Sequence, residues 1–249
     1  MSGHSKWATI KRKKAATDQA RGKLFSKFIK EITIAARHGG GDTETNPRLR
    51  SAIAAAKAVN MPANNIDRAV KRGTGEVEGA TYEEAQYEGY GPGGVALLVE
   101  VATDNRNRTA GDVRHIFTKN GGNLGEAGSV SYLFKPRGLI LIEKNAILED
   151  ALIETALEAG ADDVQTDGDP WEVLTPPGAL EAVKDALTKK SVAMSSAEVT
   201  RIASLQVPVS EKDAEAVLRL IDALEDHDDV QKVYSNFNVP DEVMARLSR

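Results

Sequence analysis

The chain has 249 residues, of which 41% are hydrophobic, enough for one large core or two to three ordinary domains, so it belongs with globular and not disordered proteins. It has no cysteine, which excludes disulfides, thiol nucleophiles, iron–sulfur clusters and sulfur-ligated zinc. The net charge of −5 conceals a division: residues 1–75 carry sixteen Lys and Arg against five Asp and Glu, whereas residues 76–249 carry sixteen against thirty-two.

A basic block joined to an acidic body is the footprint of a chain that meets a polyanion with one end and keeps the other end off it. No apolar run reaches the roughly 18 residues of a spanning helix. The sequence is charged from Lys6 onward with no apolar leader segment. The expectation is a cytoplasmic protein without membrane contact, secretion signal or transit peptide.

Residues 1–22 offer Trp7 and Ile10 as large apolar side chains, too few to hold a segment by burial, and read as a basic flexible arm that orders on a partner. Lys11, Arg12, Lys13 and Lys14 are consecutive, an arrangement that repels itself unless a polyanion neutralises it. Lys6, Arg21 and Trp7 complete the arm's candidate contacts, the indole by stacking on a base. From Lys23 the pattern becomes helical. Leu24, Phe25, Phe28, Ile29, Ile32, Ala35 and Ala36 form an apolar face, and Lys23, Lys27, Lys30 and Arg37 are expected on a cationic solvent face.

Gly39–Gly41 end this helix and Asn46-Pro47 start another as N-cap and first-turn proline. A third helix is expected from Pro62 to Arg72, with Arg68, Lys71 and Arg72 in its last turns and Gly73 closing it. Residues 23–80 therefore read as a helical domain.

The period then changes from 3.6 to 2. Strands are expected at 84–90 and 95–103, joined by the turn Gly91-Pro92-Gly93-Gly94. A helix follows with Thr109 and Asp112 as a capping pair, and then a strand at 129–134. Residues 138–202 spell β-α-β-β-α-β, which closes as an antiparallel sheet with two helices on one face. A further strand–helix–strand set occupies 205–237, its helix capped by Ser210. The economical arrangement is α+β. In it a ferredoxin-like domain, 137–203, is inserted into a second one formed by 81–136 and 204–240, with 241–249 as a tail.

Enzymatic constellations are missing from the sequence. Gly89 to Gly94 fits G-x-G-x-x-G, but a strand follows it, so a phosphate would find no helix dipole and the motif reads as a hairpin turn. Gly22-Lys23 lacks the upstream glycine of a P-loop, since Thr17 stands there. His4, His38, His115 and His227 have no metal-ligand spacing, and no serine sits in a nucleophile elbow. No metal, cofactor or catalytic residue is expected.

The segment 103–109 links a strand end to a helix start, where Arg106 and Arg108 could hold a phosphate. The reading preferred for it is that Asp104 and Asn105 shape the turn while the arginines pair with nearby acids. The expected nucleic-acid contacts are accordingly Lys6, Trp7, Lys11, Arg12, Lys13, Lys14, Arg21, Lys23, Lys27, Arg68, Lys71 and Arg72. Charge does not separate DNA from RNA. The third helix, with Asn64, Asn65, Asp67, Arg68, Lys71 and Arg72, has the side chains of a groove reader, and the arm suits a crevice in folded RNA.

Several motifs resemble the YebC family, whose mitochondrial relatives include the translational activator of cytochrome c oxidase. They are Gly3-His4-Ser5-Lys6-Trp7, Arg21-Gly22-Lys23-Leu24-Phe25, Asn46-Pro47-Arg48-Leu49-Arg50, Tyr87-Glu88-Gly89-Tyr90-Gly91-Pro92, residues 103–109, and Gly121-Gly122-Asn123-Leu124-Gly125 with Gly128-Ser129-Val130-Ser131-Tyr132-Leu133-Phe134. The resemblance implies a helical N-terminal domain followed by two ferredoxin-like domains. It also implies a non-enzymatic regulator of gene expression, labelled in the family as a DNA-binding transcriptional regulator. The alternative it carries is a ribosome-associated, ribosomal-RNA-binding translation factor for proline-rich stretches, and beyond that a protein-interaction module.

Overall fold

The first helix of the described residues, α1 (Asp18–Gly39), is apolar on one side and basic on the other, and both sides are used. The structure, a computed structural model, describes residues 18–239 together with Val243 and Arg246, and the side chains only from Gly22 onward. The run Lys6–Lys14 with Trp7, and the Arg21 side chain, lie outside the described residues. Helix α1 starts at Asp18, so residues 18–22, read from sequence as arm, are helical.

Helix α2 (Pro47–Ala58) begins where its proline predicts, and the Asn46 side chain accepts a hydrogen bond from the Leu49 N–H. Helix α3 (Ala63–Thr74) runs past its expected end at Gly73 and closes on Gly75, whose φ of 84° is the left-handed conformation that suits glycine. Ile32, Ala35, Ala36, Leu49, Ala52, Ala56, Met61, Ile66 and Ala69 form the core of this three-helix module. Gly73 serves packing and not termination. A Cβ there would lie 2.4 Å from the Thr33 carbonyl oxygen and 2.6 Å from the Ala36 Cβ, so its absence lets α3 close on α1.

Strands β1 (Glu83–Tyr90) and β2 (Ala96–Thr103) form an antiparallel hairpin, closed by a short 3-10 turn at Pro92–Gly94. Helix α4 (Arg106–Lys119) follows, and then β3 (Asn123–Leu124), which pairs with β1. This short strand occupies the place in the sheet that the pattern at 129–134 suggested. Residues 131–133 instead form a 3-10 turn, and the next strand, β4 (Phe134–Ile142), opens a second sheet.

That sheet is completed by α5 (Glu149–Glu158), β5 (Asp163–Gln165), β6 (Trp171–Thr175), α6 (Leu180–Lys189) and β7 (Met194–Ala203), in the order β5-β6-β4-β7. All its pairings are antiparallel, which is the ferredoxin-like arrangement. The chain then returns through β8 (Val207–Pro208), α7 (Glu211–Glu225), β9 (Val230–Ser235) and β10 (Phe237–Asn238).

Strand β9 pairs with β2, giving the first sheet the order β3-β1-β2-β9. The second sheet is thus interposed in sequence between two parts of the first. The spatial order of the first sheet is also ferredoxin-like, with β1 as its third strand, supplied from before the unit and not from within it. Among the described residues, strands β8 and β10 pair only with each other, in parallel.

The fold is therefore α+β, with a helical module ahead of two α/β sandwiches. The core of the first joins Val95, Leu97, Val99 and Val101 to Val113 and Phe117 of α4 and to Val217, Leu220, Ile221 and Leu224 of α7. The second joins Ile140, Ile142 and Val173 to Leu152 of α5 and Val183 and Leu187 of α6. A smaller cluster, Ala96, Leu98, Val130, Phe134 and Tyr234, covers the outer face of the first sheet where the chain crosses between them.

Candidate nucleic-acid interface

The cations expected on phosphate fall into three groups. Lys23 and Lys27 lie on the second face of α1, which with Lys30, Ile34 and Arg37 recurs at intervals of three and four. This face meets the first sandwich instead of solvent. Lys27 Nζ donates to the Glu225 carbonyl at 2.8 Å, Lys23 Nζ to that of Asp226 at 3.3 Å, and Lys30 Nζ to that of Asp228 at 2.9 Å. These are the last carbonyls of α7 and the turn after it, which have no intrahelical donors and carry the negative end of the helix dipole.

Below them lies a buried polar knot. Lys30 pairs with Asp229 at 2.6 Å. The other oxygen of Asp229 accepts from the Thr109 hydroxyl at 2.7 Å, Arg108 Nη2 at 3.0 Å and the Thr103 hydroxyl at 3.1 Å. Burial alone would push the Asp229 carboxyl up, but the bonds from Lys30, Thr109 and Arg108 outweigh it and hold the group well below the usual carboxylate range. His227 accepts from the Asp229 N–H through Nδ1.

Arg108 also binds Asp104 at 2.8 Å. The Arg108 N–H is taken by the Asn105 side chain, which caps α4 four residues before the expected capping pair begins at Thr109. Thr109 is therefore a buried partner of Asp229 and not a cap. Arg106 is exposed, with Glu83 at 4.0 Å. A cleft of about 790 Å³ runs along this seam between Lys23, Tyr82, Arg72 and the 226–229 turn.

The second group is on α3. Arg68 and Lys71 are exposed on one face with Asn64, and Lys71 pairs along the helix with Asp67 at 2.9 Å. Arg72 is half-buried at the seam with Gly79 against its guanidinium. The third group, Lys6 to Arg21, lies outside the described side chains. The structure thus keeps Arg68 and Lys71 on an open surface, and it turns Lys23, Lys27 and Arg108 toward acids of the body.

The sequence reading missed the role of Lys30 and Asp229. Their signal was a lysine row at 23, 27 and 30 matched by the acidic run 225–229, two patterns with no cue that they meet. It also missed Arg48, whose guanidinium bridges Glu31 of α1 at 2.8 Å and Glu84 of β1 at 2.6 Å. Among the described residues no group of three or more His, Asp or Glu converges as a metal site would, and no helix is long and apolar enough to cross a membrane.

These parts define an α+β protein in which a basic helical module is mounted on acidic α/β sandwiches. The family model described as the TACO1/YebC protein N-terminal domain matches residues 5–76, and that of the TACO1/YebC second and third domain matches residues 82–237. The chain belongs to the TACO1/YebC family. It is 59% identical over 249 residues, the whole of both chains, to a protein of Dictyoglomus turgidum named a probable transcriptional regulatory protein. It is 58% identical to one of the same name from Geobacter sulfurreducens, over 99% of this chain and 100% of that one. A crystal structure of a conserved hypothetical protein from Aquifex aeolicus matches with a TM-score of 0.81 and 50% identity, covering 90% of this chain and 93% of that one.

Proposed function

We propose that the chain is a non-enzymatic nucleic-acid-binding regulator of gene expression, gripping phosphates with its basic N-terminal third. The observation that carries this is the charge division, sixteen bases against five acids in residues 1–75 and sixteen against thirty-two beyond, which coincides with the boundary of the helical module. The regulatory names of the relatives support it. On the DNA reading, α3 presents Asn64, Arg68 and Lys71 to a groove and the arm follows the backbone.

A second reading has its own support. The lysine row of α1 is engaged by the body, so the densest remaining basic run in the sequence is Lys11–Lys14 beside Trp7, which suits a crevice in folded ribosomal RNA better than a duplex face. Crosslinking and sequencing of bound nucleic acid in cells, with the full chain and with residues 1–20 removed, separates these. Promoter DNA reads lost on deletion support transcription, and ribosomal RNA reads support translation. Neither, with protein partners that survive nuclease, overturns the proposal. Were about six phosphates neutralised on duplex DNA, affinity would fall on the order of a thousandfold from 50 to 200 mM salt.

A further inference from the structure

Helix α1 is held by two different kinds of surface. Its apolar side belongs to the module core, but the four apolar clusters of the described residues each draw on one side of the seam, and none joins the module to the first sandwich. Across the seam the contacts include the three lysines on 225–229, the bridge from Arg48 to Glu84, Arg37 donating to the Thr81 hydroxyl at 2.9 Å, and Lys30 over the Tyr82 ring, with Ile34 buried on the same face. They are mostly charge-assisted hydrogen bonds, and they grade from exposed at Lys23–Asp226 to buried at Lys30–Asp229.

What the lysine row meets is chemically specific. It meets three backbone carbonyls at a helix end, those of Glu225, Asp226 and Asp228, with the carboxylates of Asp226 and Asp229 beside them. A phosphate backbone likewise offers a row of ammonium groups a series of oxygen acceptors, and there each phosphate carries a charge. The exchange strands little charge. A phosphate replaces a carboxylate or carbonyl on each lysine, and Asp229 keeps Arg108, Thr103 and Thr109 when Lys30 leaves.

We propose that the Lys23–Lys27–Lys30 row is a polyanion-binding surface that the 225–229 turn occupies in the closed form. Nucleic acid and this turn then compete for the same lysines, and binding swings the helical module off the first sandwich about residues 75–82. The proposal rests on the nucleic-acid reading above, and it makes the acidic end of α7 an internal competitor that sharpens selection for dense phosphate.

The cysteine-free sequence makes the test direct, because two introduced cysteines label uniquely. Spin labels at Ala55→Cys on α2 and Lys119→Cys on α4, both exposed positions, report the distance across the seam in the full chain. It is measured free, with a 20-base-pair DNA duplex and with a folded RNA hairpin. A longer distance is expected to grow with the nucleic acid that binds. In the same background Asp226→Asn with Asp228→Asn is expected to raise affinity several-fold and to populate the longer distance without ligand, and Lys23→Gln with Lys27→Gln to lower affinity several-fold. Circular dichroism melts confirm that each variant is folded. An unchanged distance at saturating nucleic acid overturns the competition, whatever the affinities, and leaves the functional reading standing. If neither nucleic acid binds, that reading fails and the competition falls with it.

Discussion

Lys30 and Asp229, 199 residues apart in the chain, form a 2.6 Å ion pair in which both side chains are buried. Removing one partner of such a pair leaves the other charged in a site built for two, which costs about 3–5 kcal/mol. Asp229 retains Arg108 and two hydroxyls, so Lys30→Met is expected at the lower end, on the order of 3 kcal/mol. Urea unfolding at neutral pH measures it. A loss below about 1 kcal/mol, the range of exposed pairs, would show the pair to be solvated.

The same carboxyl sets a pH dependence. Its folded pKa is depressed below the ordinary value, so its contribution to stability is fully present above about pH 4 and is lost as pH falls through the folded value. Between pH 7 and pH 3 the wild type is expected to lose more stability than Asp229→Asn, which has no proton to take up there. Equal losses in urea midpoints would remove Asp229 from the acid response.

How far the sequence disclosed this arrangement can be judged at α1. The apolar spacing from Phe25 to Ala36 located the helix and its core face, because burial against α2 and α3 demands that period. The destination of the basic face was not legible. A row of lysines has the same pattern whether it faces water, phosphate or a helix end more than 190 residues away. Thr109 was misread for a related reason, since its spacing to Asp112 satisfies a capping pair but the partner that claims its hydroxyl, Asp229, is distant. Strand β3 escaped notice because two residues cannot show a period.

Burial within that helix also separates two substitutions that sequence treats alike. Ile32 is fully buried in the module core, whereas Phe28 is only half-buried at its margin. Ile32→Ala is expected to cost about 2–5 kcal/mol, and Phe28→Ala less than the 3–5 kcal/mol or so of a fully buried phenylalanine. Paired thermal melts should rank Ile32→Ala as at least as damaging, and the reverse order would place Phe28 in the core.

Gly73 tests helix-on-helix approach without a conformational argument. It lies inside α3 with no left-handed φ, so alanine suits its backbone and would be favoured by helix propensity by about 1 kcal/mol. The added methyl group would strike the Thr33 carbonyl and the Ala36 Cβ, both on the neighbouring α1 backbone or close to it. Overpacking of this kind costs about 1–3 kcal/mol, and the net effect of Gly73→Ala is expected to be destabilising. A stabilised variant in urea titration would mean that α1 and α3 separate at little cost.

Glu88 provides a last case, where a charged group on a strand organises a loop. It points to the outer face of β1 and is buried, and its carboxylate accepts from the N–H groups of Gly128 at 2.8 Å and of Val130 and Ser131 at 2.7 Å each. Burial would push its carboxyl up, but these donors outweigh that and hold it below the usual range. The loop they fix carries Val130 into the cluster with Leu98 and Phe134, where the chain crosses to the second sandwich. Glu88→Gln keeps the shape but replaces one acceptor oxygen by an NH2 group facing an N–H donor, so at least one bond to a charged acceptor is lost, worth about 1.5–3 kcal/mol. Hydrogen exchange should show the amides of Val130 and Ser131 losing protection selectively while those of β2 keep theirs. Unchanged protection at both amides would mean that the loop holds its shape without Glu88.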